Sequence, residues 1–408
     1  MKLGTPGFVG ASLREAREAR GITAIALAED LGISRAAVSQ YEADQQSPRP
    51  EVMEQIAARL RLPLRFFMQK HAPDVDSLIF WRSVSTATKS ARTRVRRRLK
   101  WLRSIAIYLR EYVEFPPVDL PDLPDLPTEP LAISQEYIER SAISVRQHWG
   151  LGDGPLGSIV TLLENNGVAV ARDDFQADGL DALSEIHPQD PLRCVLLGSG
   201  KDSMARSRMD ACHELGHLLL HRRIDRMRIT NSTELNTIEK QANRFAGAFT
   251  LPADAFSADL SSLTLDSFAV LKAKWQMSIG VMIKRCEDLD FLEESQARNL
   301  WRSYASRGWR TDEPLDNELP IERPELLAQS FELILSENIQ TRDQVLTRCP
   351  YDVRDIEELS ALDSGFLMGA RTPKVRVIPF RQKEEVHAVP TDGTRSPLID
   401  FDSIRQRK

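Results

Sequence analysis

One five-residue segment constrains this chain more than any other: His213-Glu214-Leu215-Gly216-His217. Residues four apart lie on one face of an α-helix, so both imidazole rings can reach a single metal ion. Glu214 can turn toward the same cavity, where a carboxylate can take a proton from water. The segment therefore predicts a helix that carries a zinc site.

The alternative is a chance pair of histidines on an ordinary surface helix. The chain has only seven histidines, and the predicted helix over 203–221 continues past the motif with Leu218-Leu219-Leu220. This apolar run indicates a buried helix, where two unpartnered imidazole rings would cost free energy. We therefore favour the metal site.

A catalytic zinc site needs a third protein ligand and an open fourth position. The next predicted helix, 234–249, offers Glu239, with the small Ala242 and Ala246 on the same face to permit close packing. Glu234, near the start of that helix, is the rival ligand. A His, His, Glu set is the type found in thermolysin-like zinc peptidases. The predicted Zn²⁺ site has His213, His217 and Glu239 as ligands and Glu214 as general base.

Two neighbours of the motif have open roles. Asp210 lies three residues before His213 and can accept its second imidazole proton, as the outer partners of zinc ligands do; a solvated acid is the alternative. His221 lies four residues after His217 and can extend the metal-binding face, although packing or capping is the commoner role.

The first seventy residues show a second pattern, a series of short helices separated by tight turns. Thr23 and Ser34 are suited to cap the second and third helices, and Gly32 lies in the turn between them. A helix, a glycine-containing turn and a second helix form the architecture of a DNA-binding helix-turn-helix. The residues predicted to face DNA are Thr23, Ser34, Arg35, Ala36, Ser39 and Gln40.

The third helix supplies the predicted contacts to DNA. Ser39 and Gln40 can hydrogen-bond base edges, and Arg35 can bind phosphate or guanine. A helical bundle used for protein contacts or dimerisation is the alternative. The basic helix over 89–110 is a second candidate for phosphate contact, although a run of arginines is more often a solvated face or a surface for an acidic partner.

Length and composition set the limits of the fold. A chain of 408 residues suits two or three domains, and a net charge of −5 does not by itself suggest a nucleic-acid binder. Four scattered cysteines, no signal peptide and no apolar run of about twenty residues favour a cytoplasmic protein without a membrane span.

We predict a mainly α fold with a small α+β part, including strands over 167–171 and 194–197 and a strand-like stretch over 71–85. The predicted divisions are a five-helix DNA-binding bundle over 1–70, a linker with a basic helix and a Pro-rich loop over 71–133, a zincin-like metallopeptidase domain with a short β-sheet over 134–290, a helical C-terminal region over 291–370 and a disordered tail over 371–408.

Three segments carry a family resemblance: 204–221, Glu239-x-x-Ala242-Asn243-x-Phe245-Ala246, and Leu251-Pro252. They resemble the ImmA/IrrE metallo-endopeptidases, over roughly 135–290. The resemblance implies specific cleavage of a repressor protein rather than general digestion, with the same three ligands and the same general base. Met209 and Cys212 stand where Phe and Ala are expected, which leaves the ligands intact.

The stretch 11–69 resembles the lambda-repressor-like Xre family. The match is carried by Ile22-Thr23, Leu27-Ala28, Leu31-Gly32-Ile33-Ser34, Val38-Ser39-Gln40-Tyr41-Glu42 and Ser47-Pro48. It implies a double-stranded DNA operator as partner, and two operator half-sites would favour a homodimer. The chain departs from the family at Ala24, where a phosphate-contacting Gln is common, which bears on DNA affinity and not on the fold.

Three functions fit these patterns. The first is a DNA-binding transcriptional regulator whose zinc-dependent endopeptidase domain cleaves a repressor, an antitoxin-like partner or the chain itself. The second is a non-proteolytic regulator or antitoxin that uses the peptidase fold to bind a partner such as a toxin. The third is a structural zinc protein, and Glu214 argues against it because a structural site has no use for a base.

Overall fold

The computed structural model describes residues 4–71, 74–75, 77–81, 87–177, 179–200, 203–228 and 231–369. The predicted tail over 371–408 lies outside these residues. Within them the chain is mainly helical with one four-stranded sheet, as predicted. Its four cysteines are buried free thiols. None of the described helices is long and apolar enough to cross a membrane.

The N-terminal helices begin and end close to their predicted positions. They are α1 (Gly10–Ala19), α2 (Ala24–Leu31), α3 (Arg35–Glu42) and α4 (Pro50–Leu60). Gly32 ends α2 with a φ of 63°, a left-handed conformation that glycine adopts without steric cost. The predicted fifth helix is only a 3₁₀ turn, Leu64–Met68, because it begins after Pro63 and the backbone is extended again at Gln69.

The sheet contains two strands that were predicted, a third that lies in the strand-like stretch 71–85, and a fourth that was not predicted. Its strands are β1 (Leu78–Trp81), β2 (Val168–Asp173), β3 (Ala182–Ile186) and β4 (Arg193–Gly198), in the order β1-β3-β4-β2. β1 and β4 are antiparallel to β3, and β2 is parallel to β4. β3 escaped prediction because Ser184 and Glu185 interrupt its apolar pattern, although both are buried.

The remaining helices follow the predicted helical pattern, with the addition of the short α10. They are α5 (Lys89–Leu109), α6 (Gln135–His148), α7 (Ile159–Asn165), α8 (Met204–Leu220), α9 (Ser232–Thr250), α10 (Ala253–Asp259), α11 (Leu265–Trp275), α12 (Ile279–Asp288), α13 (Glu294–Ser306), α14 (Leu326–Ser336), α15 (Arg342–Arg348) and α16 (Val353–Leu359).

Two apolar cores divide the described chain differently from the predicted domain limits. One core joins the N-terminal helices, α5, one face of the sheet and α14–α16. The other joins α6–α9, α11, α12 and the opposite face of the sheet. The stretch 71–133, predicted as a linker, therefore supplies the edge strand β1 and the central helix α5. The reason is that Trp101, Leu102 and Ile105 form an apolar stripe on α5 that is fully buried.

Candidate metal centre and DNA-binding surface

The helices α8 and α9 approach each other closely at Gly216. A Cβ atom added there would lie 3.2 Å from Ala242 Cα and 3.3 Å from Ala242 O, which is tighter than an ordinary contact. The absence of a side chain on Gly216 and the small one on Ala242 therefore let the two helix backbones come together. This packing brings Glu239, almost one turn before Ala242, beside the histidine motif.

The two histidines and Glu239 point their ligand atoms at one another. Nε2 of His217 lies 2.9 Å from Nε2 of His213. Nε2 of His213 lies 3.3 Å from Oε2 of Glu239, and Nε2 of His217 lies 3.3 Å from Oε1 of the same carboxylate. Ligand atoms about 2.0–2.2 Å from a tetrahedral zinc ion lie roughly 3.3–3.5 Å apart. Both distances from an imidazole nitrogen to the nearest Glu239 oxygen match this spacing, and the distance between the two nitrogens is slightly shorter, so the two imidazoles and the carboxylate fit a zinc ion.

Glu239 and its rival Glu234 have different partners. Glu234 lies in the first turn of α9 and accepts a hydrogen bond from Arg228 Nη1 at 2.7 Å. Burial alone would raise the pKa of Glu239, but hydrogen bonds and charge from His213 and His217 outweigh it and hold that pKa well below its ordinary value. An ionised carboxylate beside two imidazole nitrogens is the ligand that a divalent cation needs. The geometry therefore favours Glu239.

Replacing Glu239 with glutamine tests this assignment. An amide oxygen carries no charge, so we expect Glu239→Gln to weaken zinc binding more than about 100-fold, since loss of an outer partner alone costs about 10–100-fold. Glu234→Gln makes the same chemical change five residues earlier and should leave zinc binding unchanged. Competition against a chromophoric chelator measures both affinities. Equal loss in the two variants, or loss in Glu234→Gln alone, would contradict the assignment.

The metal-facing side of α8 is closed to solvent. His213, Glu214 and His217 are fully buried, whereas the side chain of Glu239 retains 20% of its exposure. Glu214 directly follows the first predicted ligand, on the same helix. Solvent therefore reaches this group of residues from the Glu239 side, and Glu214 lies within the enclosed part.

The two histidines have outer partners that the sequence did not indicate. Nδ1 of His213 lies 3.0 Å from Oδ1 of Asn243, while the role predicted for Asp210 stays a prediction. α9 presents Asn243 one turn after Glu239, a nonlocal arrangement that spacing along α8 does not reveal. Nδ1 of His221 lies 2.9 Å from Nδ1 of His217. His221 therefore contacts the rear nitrogen of a predicted ligand and does not extend the ligand set.

Phe80 of β1 is a residue of this site that sequence reasoning missed. Its ring stacks on the imidazole of His217, with ring centroids 4.5 Å apart and an interplanar angle of 5°. Phe80 packs in a small buried apolar cluster with Ile224, which lies just after α8, and with Ile238 of α9. The strand-like character of 71–85 was the only available signal, because the pairing of β1 with β3 joins residues about a hundred positions apart.

The predicted DNA-facing residues lie at the exposed start and along the exposed side of α3, with one exception. Thr23 and Ser34 are exposed caps of α2 and α3, accepting hydrogen bonds from the backbone N–H groups of Ala26 and Ala37. Arg35, Ala36 and Ser39 are exposed, Gln40 is half-buried, and Val38 is buried in the core. Apart from Thr23, on α2, these side chains share one helix whose opposite face holds it in the bundle.

Several cations of the basic helix α5 form ion pairs with acidic side chains of other elements of the same chain. Arg98 is buried and makes a bidentate pair with Asp173 of β2, at 2.7 and 2.9 Å, and a further pair with Asp355 of α16. Arg20, the residue that directly follows α1, binds the same Asp355 at 2.6 Å. Arg97, Lys100 and Arg103 likewise pair with acidic side chains of the chain itself. These cations therefore neutralise internal acids, which disfavours the prediction that α5 contacts phosphate.

Comparison with known proteins agrees with this division. Residues 163–287 match a metallopeptidase family described as the IrrE N-terminal-like domain, and residues 13–67 match a helix-turn-helix family. None of the curated proteins matches the chain. The first match includes every residue of the candidate metal group, and the second includes α2 and α3. The chain therefore joins an Xre-like helix-turn-helix domain to an IrrE-like domain of a metallopeptidase family.

Proposed function

We propose that the chain is a DNA-binding regulator whose zinc-dependent endopeptidase site cuts one specific partner protein, of the repressor or antitoxin type. The observation that carries the proposal is the convergence of His213, His217 and Glu239, with Glu214 buried beside them. A structural zinc site would have four protein ligands and no need of a base. Among the described residues, the group holds three ligands.

The proposed chemistry is hydrolysis of a peptide bond. Zinc, when bound, acidifies water and polarises the scissile carbonyl. Glu214 accepts a proton from the attacking water and then delivers it to the nitrogen of the leaving amine, so one C–O bond forms as one C–N bond breaks. His213, His217 and Glu239 would hold the ion.

The enclosure of the site supports a restricted substrate. Among the described residues of the group, His213, Glu214 and His217 are fully buried and Glu239 keeps 20% of its side-chain exposure, so the group is reached from the Glu239 side. An extended segment of a partner is the substrate that this shape favours. A sequence-specific DNA-binding domain on the same chain supports a partner that acts in transcription.

A second candidate is a non-proteolytic regulator or antitoxin that binds a partner such as a toxin. The observation in its favour is Phe80, which covers the ring of His217 with a strand of the chain itself. In that case the peptidase fold would offer a binding surface without turnover.

Co-expression with the product of the adjacent gene separates the two candidates. Intact-protein mass spectrometry should find the partner, or the chain, cut at one position, and a zinc chelator should prevent the cut. Zinc content is assayed on the same samples. Bound zinc with no cut and a stable complex would overturn the peptidase proposal in favour of the binding one.

DNA recognition through α3 gives a separate prediction. Arg35→Ala and Gln40→Ala should each weaken binding to the operator by about 1–3 kcal/mol, because each removes a hydrogen-bonding group from the predicted groove-facing helix. Arg92→Ala, on α5, removes the same charge from the helix that we assign to an internal role and should have little effect. Fluorescence anisotropy at fixed salt measures the three affinities. A loss confined to Arg92→Ala would move the DNA-binding surface to α5.

A further inference from the structure

Behind the candidate metal site, a chain of hydrogen bonds runs from His217 to the backbone before α6. Nδ1 of His217 lies 2.9 Å from Nδ1 of His221, and Nε2 of His221 lies 3.1 Å from Oε1 of Gln241. The amide nitrogen of Gln241 donates to the carbonyl oxygens of Pro130 and Ile133, at 2.7 and 3.0 Å. All three side chains are buried, so water cannot replace these partners.

The direction of every bond in this chain follows from its last member. Carbonyl oxygens only accept, so the amide nitrogen of Gln241 faces Pro130 and Ile133 and its oxygen faces His221. Nε2 of His221 must then carry the proton, and Nδ1 of His221 must accept. Nδ1 of His217 therefore donates, which leaves Nε2 of His217 without a proton. That is the nitrogen directed at Glu239 and His213.

We propose that His221 and Gln241 are positioning residues that fix the tautomer and the ring orientation of His217 for metal binding. The inference rests on the proposed metal centre and adds two residues to it. Phe80 supports the same ring from its face, with an interplanar angle of 5°. His217 is thus held on its edge by α8 and α9 and on its face by β1.

The chain of hydrogen bonds from His217 through His221 and Gln241, which we call the relay, also extends the proposed metal site beyond α8 and α9. Pro130 and Ile133 lie at and just after the 3₁₀ turn Pro130–Ala132, before α6. Both are outside the stretch 163–287 that matches the peptidase family. The backbone of that turn therefore sets which end of the Gln241 amide accepts the hydrogen bond from His221, and through His221 it sets which ring nitrogen of a predicted zinc ligand carries the proton.

The first test uses zinc affinity of the full-length chain, measured by competition with a chromophoric chelator. His221→Phe keeps a ring and removes both nitrogens, and we expect it to weaken zinc binding about 10–100-fold. His148→Phe, a matched change at a half-exposed histidine of α6, should bind zinc as the wild type does. Unchanged affinity in His221→Phe would overturn the proposal. Failure of the wild type to bind zinc would instead overturn the metal centre itself.

The second test needs no substitution and so does not depend on a variant that folds. Nitrogen-15 NMR of the zinc-loaded protein, labelled at its seven histidines, reports which ring nitrogens carry protons. We expect a proton on Nδ1 of His217 and on Nε2 of His221. A merely structural contact would not require this pair of tautomers. A proton on Nδ1 of His221 would overturn the relay even if zinc binds tightly.

Discussion

Glu214→Gln should abolish most proteolysis while the protein keeps its zinc. The substitution leaves the three ligands in place and removes the carboxylate that takes and returns a proton, so the rate of cleavage should fall about 10²–10⁴-fold. The measurement is the rate of appearance of the two fragments by mass spectrometry, with zinc content determined on the same samples. The expected pattern is full zinc occupancy with little cleavage.

The matched control for this experiment is Glu234→Gln. It makes the same change at a carboxylate that pairs with Arg228 on the outer part of α9, so cleavage should continue at the wild-type rate. If Glu214→Gln cleaves as fast as the wild type, Glu214 is not the base. If Glu214→Gln loses its zinc, Glu214 contributes to zinc binding, and the assignment of the ligands must be revised.

The substitution Arg98→Met should cause the largest loss of stability. Arg98 is buried and pairs with Asp173, Asp355 and Glu358. Methionine preserves much of its volume and removes its charge, which leaves Asp173 buried without its bidentate partner. Breaking a buried ion pair from one side costs about 3–5 kcal/mol. We expect the free energy of unfolding to fall by about that amount.

Urea denaturation measures this loss, and Arg354→Met is its control. Arg354 retains 70% of its side-chain exposure and pairs with Asp352 at 3.3 Å on the surface. A surface pair of this kind contributes at most about 1 kcal/mol, so the control should unfold almost as the wild type does. A loss below about 1 kcal/mol in Arg98→Met would mean that Asp173 finds another partner. The stabilising role that we assign to the buried ion pairs of α5 would then be wrong.

The convergence of His213 and His217 in the candidate metal site was predictable because its geometry is local. His213 and His217 lie on one turn of one helix, so the spacing alone places their rings together. Glu239 was predictable from the small residues on its helix face, since Ala242 indicates which side of α9 meets α8. The caps Thr23 and Ser34 belong to the same class, because each bonds to a backbone group three residues away.

The parts that escaped prediction depend on contacts between distant residues. The contact of Asn243 with Nδ1 of His213 escaped prediction, because it depends on how α9 lies across α8. The run of arginines on α5 suggests a surface, yet Arg98 is buried among acids contributed by β2 and by α16, 75 and 257 residues further along the chain. Sequence pattern shows that a side chain is charged, and only the fold shows which charge it meets.

The apolar core shared by the N-terminal helices, α5 and α14–α16 has a thermodynamic consequence for the whole molecule. A ligand that binds only the native state stabilises it by mass action, by about 2.7 kcal/mol at one hundred times its dissociation constant. One core joins the helix-turn-helix to one face of the sheet. Binding of an operator to the helix-turn-helix would therefore also oppose unfolding of the elements that share this core. Protein bound at its operator should therefore survive heat and cellular degradation longer than the free protein, and the number of occupied operators would set how much of it persists.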